Sequence, residues 1–222
     1  PILGDTEELF ADEVKERAYA AFASQNRAVT RSDYMSVCYR MPAKFGKVKR
    51  VNIVQDRDSL RRNLNLYVLS ENSQGNFIAP NSVLKENLRH WVLQYKMMND
   101  TVDIFPGRVI NYGINFEVIP ELDINRYQLL QNCVDELKSK LDVKKDIGEA
   151  IYISEIYKFL NDVPGVVDTT SVEIINKNSG IYSTLYYDIR GNTSDDGRYV
   201  IIPNDAVAEI LYPNQDITGV IK

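Results

Sequence analysis

The chain has 222 residues, 44% of them hydrophobic and 26% charged, and its 26 basic against 31 acidic side chains leave a formal net charge of −5. That composition excludes an intrinsically disordered chain, a collagen-like fibre and a coiled-coil rod, and the length suits one to two domains. A net negative charge argues against wholesale coating of nucleic acid, and no stretch approaches the roughly 18 consecutive apolar residues of a membrane span.

The first predicted element is a helix capped by Asp5, with Glu8 three residues on and Leu9, Val14, Ala18 and Phe22 at near-helical spacing. Thr30 caps a second helix whose stripe is Tyr34, Val37, Cys38 and Met41, and Pro42 stops it. After a turn ending at Gly46, residues 47–55 and 63–69 read as strands rich in Val, Ile, Leu and Tyr, and residues 70–80 as a loop. Leu84, Leu88, Trp91, Tyr95 and Met98 then recur at steps of four, three, four and three, the clearest helical pattern in the chain. A short strand at 102–105 meets the Pro106-Gly107 turn.

Next comes strict alternation. Ile110, Tyr112, Ile114, Phe116 and Val118 share one face, and Asn111, Gly113, Asn115 and Glu117 the other, which predicts a half-solvated sheet or a face reserved for a partner. A helix follows with Tyr127, Leu130, Val134, Leu137 and Leu141 as its stripe. Another, capped by Ser154, carries Ile156, Phe159 and Leu160 and ends at Pro164-Gly165. Strands are expected at 171–176, 182–190 and 199–202, with a loop at 191–197, a turn at 204–210 and an irregular stretch at 212–219. Residues 32–53 and 154–174 echo each other loosely as helix, Pro, Gly and a Val-x-Ile strand.

The pattern predicts α+β, two small lobes of mixed or antiparallel sheet each covered by helices. The expected division is a helical segment at 1–30, a first lobe at 31–106 and a second at 107–222 with Tyr-rich C-terminal strands, the lobes parting near Pro106 or Pro120. Cys38 and Cys133 are too few for a disulfide scaffold and read as small buried hydrophobes in a reducing compartment, a bridge between them being the open alternative. The chain opens Pro1-Ile2-Leu3-Gly4 with neither a basic n-region nor an apolar h-region. Its start therefore reads as a cut inside a longer polypeptide and not as a signal peptide.

No arrangement of residues points to catalysis. His90, the one histidine, has no Ser, Cys or metal-ligand partner at motif spacing, and no Gly-x-Ser-x-Gly elbow supports it. Two isolated cysteines and one histidine cannot furnish a structural zinc site. Asp195-Asp196-Gly197 lacks the spaced acids of a calcium loop and reads as a turn. Phosphate-binding glycine loops are absent. The expectation is no enzyme, no cofactor, no metal and no small-molecule substrate.

Charge is unevenly spread. Residues 1–26 hold six acids and two bases, residues 27–62 ten bases and three acids, and the remainder carries −8. The ten bases are Arg27, Arg31, Arg40, Lys44, Lys47, Lys49, Arg50, Arg57, Arg61 and Arg62. Such a segment can meet a polyanion or nucleic acid, an acidic protein surface, or only water. Five of fourteen tyrosines, Tyr182, Tyr186, Tyr187, Tyr199 and Tyr212, fall in the last 41 residues. Tyr suits protein–protein interfaces and strand packing alike. These five, with Lys47, Lys49 and Arg50, are the candidate interface residues.

Several runs, taken in order, resemble a known family. They are Gln25-Asn26-Arg27-Ala28-Val29-Thr30 with Asp33-Tyr34; Met41-Pro42-Ala43-Lys44-Phe45-Gly46; Asn63-Leu64-Asn65-Leu66-Tyr67-Val68-Leu69-Ser70; Tyr95-Lys96-Met97-Met98-Asn99-Asp100-Thr101-Val102-Asp103-Ile104; Ile202-Pro203-Asn204; and Tyr212-Pro213-Asn214-Gln215-Asp216-Ile217. From about Asp5 to Gly219 the chain resembles the C-terminal region of the baseplate wedge protein (gene product six) of T-even-type phages. That protein is related to the baseplate J-like proteins of other contractile tails, and Val163-Pro164-Gly165-Val166 matches the J-like pattern. The resemblance implies a structural protein of the virion tail, assembled in the host cytoplasm. It would join neighbouring wedge subunits into the inner baseplate ring by contacts with itself, as a homodimer or ring, and with other wedge proteins. Membrane and nucleic acid are not among the partners it implies.

Overall fold

The computed structural model describes Lys15, Tyr19 and residues 27–56, 63–141 and 143–222. Lys15 and Tyr19 are helical; the rest of the helix expected from Asp5 to Phe22, and Arg57, Arg61 and Arg62, lie outside the described residues. Contacts divide the chain into two units, Pro1–Gly107 and Arg108–Lys222.

In the first unit, helix α1 (Arg31–Tyr39) starts with a complete capping box. The Thr30 hydroxyl accepts from the Asp33 amide at 3.2 Å, and the Asp33 carboxylate accepts from the Thr30 amide at 2.8 Å. Burial pushes the Asp33 carboxyl up, but the Thr30 and Val29 amides outweigh it and hold the group below its usual range. Tyr34, Val37, Cys38 and Met41 are buried, as their spacing predicts. Strands β1 (Arg50–Gln55), β2 (Asn63–Glu71) and β3 (Phe77–Ile78), helix α2 (Ser82–Leu93) and strand β4 (Thr101–Pro106) complete the unit. Central β2 pairs antiparallel with β1 on one side, and on the other with β3 (antiparallel) and β4 (parallel). The expected loop at 70–80 thus contains the end of β2 and all of β3.

The stripe of α2 differs from the expected one. The helix ends at Leu93, so the buried residues are Leu84, Leu88 and Val92, while Met98 is 95% exposed. Trp91 stays at the core edge, its indole N–H donating to the Val37 carbonyl at 2.8 Å.

The second unit is built around the long strand β5 (Arg108–Pro120). Helix α3 (Arg126–Leu141), strand β6 (Ile151–Tyr152), helix α4 (Ile153–Asn161) and strand β7 (Val166–Asn176) follow. Then come β8 (Tyr199–Val200), β9 (Ala206–Glu209), the short helix α5 (Pro213–Asp216) and β10 (Ile217–Ile221). β5 pairs antiparallel with β7 on one side and parallel with β9 and β10 on the other; β6 and β8 form a separate antiparallel pair. The fold is therefore α+β, with two four-stranded mixed sheets packed by helices.

Ile110, Tyr112, Ile114, Phe116 and Val118 are all buried on one face of β5. The opposite face is only partly wet. Asn115 is exposed, but Asn111 and Gly113 are buried beneath the chain that follows β7 and beneath α5. A Cβ at Gly113 would stand 2.8 Å from the Asp216 carbonyl oxygen, so only glycine admits this approach.

Five further expectations are corrected. On α3 the buried line is Leu129, Cys133 and Leu137, flanked by Leu130, Val134 and Leu141, and Tyr127 faces solvent. α4 begins directly after β6 with Tyr152 at its N-cap and no capping side chain, because the Ser154 amide donates to the Arg198 carbonyl. Residues 182–190 form no strand. Side chains hold that backbone instead of a ladder: the Ser183 amide donates to Asn111 Oδ1 at 2.8 Å, the Ser183 hydroxyl to the Val109 carbonyl at 2.7 Å, and Asn176 Nδ2 to the Tyr187 carbonyl at 2.6 Å. Finally, the expected turn at 204–210 holds β9, whose Ala206, Val207 and Ala208 are buried, and the irregular stretch at 212–219 holds α5 and most of β10.

Candidate interaction surfaces

The chemistry-bearing residues are scattered. His90 is exposed on α2, its Nε2 3.2 Å from Glu86 Oε1 one turn earlier. Among the described residues no three His, Cys, Asp or Glu side chains stand where they could hold a metal ion, and no helix is long and apolar enough to cross a membrane. Cys38 and Cys133 are free thiols in separate cores. Burial pushes Cys38 up to about 12 and Cys133 up to about 11, which leaves both unreactive near neutral pH. Ser194 to Arg198 is a turn around Gly197, closed by the Ser194 hydroxyl donating to Asp196 Oδ1 at 2.6 Å. That bond, followed by the Arg198 amide, holds the Asp196 carboxyl below its usual range.

The five candidate tyrosines divide into two groups. Tyr182, Tyr187 and Tyr212 spend their polar or apolar surface inside the second unit. The Tyr182 hydroxyl donates to buried Asp216 at 2.6 Å, and the Tyr182 and Tyr212 rings meet edge-on at 5.9 Å. The Tyr187 hydroxyl donates to the Ile201 carbonyl at 2.5 Å. Tyr186 and Tyr199 face solvent, at 68% and 37% exposure. Tyr199 lies opposite Tyr152 across β8 and β6, ring centroids 6.1 Å apart, and Ile201 beyond it is half exposed. Tyr152 and Ile201 were not legible as candidates, because only the β6–β8 pairing brings Tyr152 next to the tyrosine-rich C-terminal stretch.

The three basic candidates are equally unlike one another. Lys47 is exposed. Lys49 forms a largely buried ion pair with Glu71, Nζ to Oε2 3.0 Å, and Arg50 Nη1 donates to the Lys49 carbonyl at 3.1 Å. Elsewhere in the basic segment Arg31 donates to Asn52 Oδ1, Arg40 lies 5.5 Å from the Tyr95 ring centre, and Lys44 lies 4.8 Å from that of Phe45. Of these, Lys49 is matched by a carboxylate, and Arg31, Arg40, Lys44 and Arg50 contact neutral groups.

On the first unit a small, shallow depression between α2 and β4 is lined by Arg89, Val92, Leu93, Lys96, Val102 and Ile104. Leu93 and Met97 beside it are 51% and 43% exposed. The sequence offered no signal for it, since its residues come from two elements whose neighbourhood follows from the parallel pairing of β4 with β2.

Among solved structures, a chain of the cryo-EM structure of the anti-feeding prophage (AFP) baseplate, 6-fold symmetrised, shares this fold. The TM-score is 0.53 at 13% sequence identity, over 93% of this chain and 42% of that one. The present chain thus spans less than half the length of that neighbour. No family model and no curated protein matches the chain.

Proposed function

We propose that the chain is a structural part of a tail baseplate, the C-terminal region of a wedge subunit that joins its neighbours into the inner baseplate ring. The observation that carries this reading is the likeness of nearly the whole chain to a baseplate chain of the anti-feeding prophage, through both units and not one alone. The ordered runs that resemble the T-even wedge family point the same way, from sequence instead of shape. The work of such a part is to hold other proteins, and its partners are other copies of itself and further wedge proteins, within the tail of the assembled particle. It carries out no reaction and takes no cofactor. Its two units are proposed as the two α+β lobes of that region, the exposed Tyr186 and Tyr199 of the second serving as contact residues.

A closed ring needs a repeating set of contacts, so a two-fold pairing in this region alternates with a second contact elsewhere in the subunit. Sedimentation of the isolated chain over a range of concentrations tests the reading. A reversible dimer or larger species is expected, and a strict monomer at high concentration overturns the joining role. The polyanion alternative gains no support from Lys49, which is already neutralised by Glu71.

A further inference from the structure

We infer that the open end of the outer sheet face in the second unit docks against the basic surface around Phe45 on the first unit of another copy of this chain. The inference deepens the ring reading above and rests on it.

The outer face of β5 is divided. Asn111 and Gly113 lie beneath later segments of the same unit, whereas farther along the strand Asn115 and Ile119 are exposed. Val220 of β10 stands opposite Glu117, and side chains two apart on a strand share a face, so Val220 and Ile119 look the same way. They are 58% and 41% exposed. On β7, Val167 is the extra residue of a bulge beside Ile119 and is 60% exposed, and Leu122 in the turn after β5 is 95% exposed. The Glu121 amide donates to the Gly165 carbonyl at 2.9 Å, which holds that turn next to the start of β7. Four exposed aliphatic side chains thus gather at one end of one sheet, whereas on an unpartnered surface such residues are ordinarily scattered.

Charge selects what covers them. Glu117 is paired with Lys222, but Glu121, Asp123 and Asp168 are exposed and, among the described residues, join no ion pair. Arg126 is the one cation of the adjoining turn, so the rim keeps a negative balance. Two such faces brought together would set acid against acid, which disfavours a two-fold contact here.

The complement lies on the first unit. Residues 27–107 hold 13 bases and seven acids, and the second unit 11 bases and 18 acids. Lys44 and Lys47 are exposed and meet no carboxylate among the described residues. They flank Phe45, which is 39% exposed and whose carbonyl accepts from Asn87 Nδ2 at 2.9 Å. Val83, one turn before Asn87 on α2, is 65% exposed. Glu86 is the one acid of that turn, so the patch keeps a positive balance. An apolar centre with a basic rim therefore meets an apolar centre with an acidic rim. Because the two surfaces differ, the contact is head-to-tail, the kind that closes a ring when its rotation divides a full turn.

The test is sedimentation equilibrium of the whole chain carrying Tyr186→Ala and Tyr199→Ala, so that the contact proposed for those tyrosines is silent. Two charge reversals are made in that background: Glu121→Lys with Asp168→Lys on the acidic rim, and Lys44→Glu with Lys47→Glu on the basic one. Each reversal should weaken self-association at least about tenfold. Raising salt from about 0.05 M to about 0.5 M should weaken the unreversed background. An equimolar mixture of the two reversed chains should associate again, as should a chain carrying all four reversals, because each restores opposite charges across the contact. Association that survives either reversal, or a mixture that stays monomeric, overturns the proposal. Reversal at Lys44 and Lys47 that lowers the melting temperature but leaves association intact assigns them to a contact within the chain and overturns it too. If the chain with both tyrosines associates while the silenced background does not, the head-to-tail contact falls and the ring reading stands. If neither associates, both fall.

Discussion

The hydroxyl of Tyr182 donates to the carboxylate of Asp216 across 2.6 Å, and these two residues close the second unit. Asp216 is 1% exposed and also accepts from the Tyr212 amide at 2.8 Å, with Lys177 Nζ at 3.7 Å. One buried carboxylate thus ties together the segment after β7, the turn of α5 and the start of β10. A buried acid of this kind is tolerable only when its oxygens are satisfied, so each donor has leverage beyond its own bond.

Tyr182→Phe should therefore cost about 2 kcal/mol, because it removes a bond to a buried carboxylate and leaves one oxygen under-satisfied. It also carries a pH signature. The bond to Asp216, and then burial, push the Tyr182 hydroxyl from its usual 10 up to about 12. The folded state holds that proton more tightly than the unfolded state, so this stabilisation is complete below pH 10 and disappears as pH rises through about 12. Urea unfolding between pH 9 and 12 should show a shallower decline in the variant than in the parent. Some decline remains in both, since burial also raises Tyr34 and Tyr112. Identical slopes would remove Tyr182 from the linkage.

Elements whose own residues decide their state were legible. The Thr30 cap of α1 and the alternation along β5 each combine local chemistry with strong periodicity, and the apolar residues that the spacing picks out are buried in both, whereas the Asp33 half of the capping box emerged only from the structure. What escaped was decided at a distance. Met98 continues the α2 stripe arithmetically, yet the helix has ended, and Val92 fills the core instead. Residues 182–190 have the Tyr content of a strand, but Asn111 and Val109 on β5 capture the Ser183 donors before a ladder can form. The candidate site followed the same rule: Tyr186 and Tyr199 are outside and Tyr182, Tyr187 and Tyr212 inside, because of Asp216 and the Ile201 carbonyl, neither of which composition reveals.

The outward amide of Val51 on β1 donates to the Tyr39 hydroxyl at 3.1 Å, and that of Val172 on β7 to the Tyr157 hydroxyl at 3.0 Å, so each hydroxyl guards an open strand edge and predicts a paired result. Tyr39→Phe and Tyr157→Phe each free one outward amide while keeping the ring, at a cost of about 1 kcal/mol apiece. Hydrogen exchange should quicken selectively at Val51 in the first and at Val172 in the second. Concentration-dependent aggregation should rise in both, since an opened edge is a template for pairing. Unchanged exchange at these two amides would mean that the hydroxyls do not guard them.

Lys47 and Lys49 should part company on substitution although only Val48 separates them. Lys49→Ala removes the ion pair to Glu71, whose side chain is 10% exposed, and should lower stability by about 3 kcal/mol. Lys47→Glu acts at the surface and should change stability by less than about 0.5 kcal/mol. Thermal unfolding of both variants checks this. It also decides how polyanion binding can be examined: loss of binding in a Lys49 variant reports unfolding, whereas loss in Lys47→Glu with an unchanged melting curve would restore the polyanion reading.

Tyr186 and Tyr199 supply the sharpest test of the proposed self-association. Both rings are exposed, and Tyr199 is steadied by Tyr152 across the β6–β8 pair, so ordering it on contact costs little entropy. Large, rigid aromatic surface of this type is where binding energy concentrates. The double variant Tyr186→Ala, Tyr199→Ala should weaken self-association by about tenfold or more in sedimentation equilibrium. It should lower the unfolding free energy by only about 0.5–1 kcal/mol, through loss of the cross-strand ring pair. Tyr187→Phe, which gives up the bond to the Ile201 carbonyl, should do the reverse, moving stability and leaving association intact. If Tyr187→Phe alone disrupts association while the double variant leaves it untouched, the contact lies on another face of the unit, and the exposed tyrosines are ordinary solvent-facing strand and loop residues.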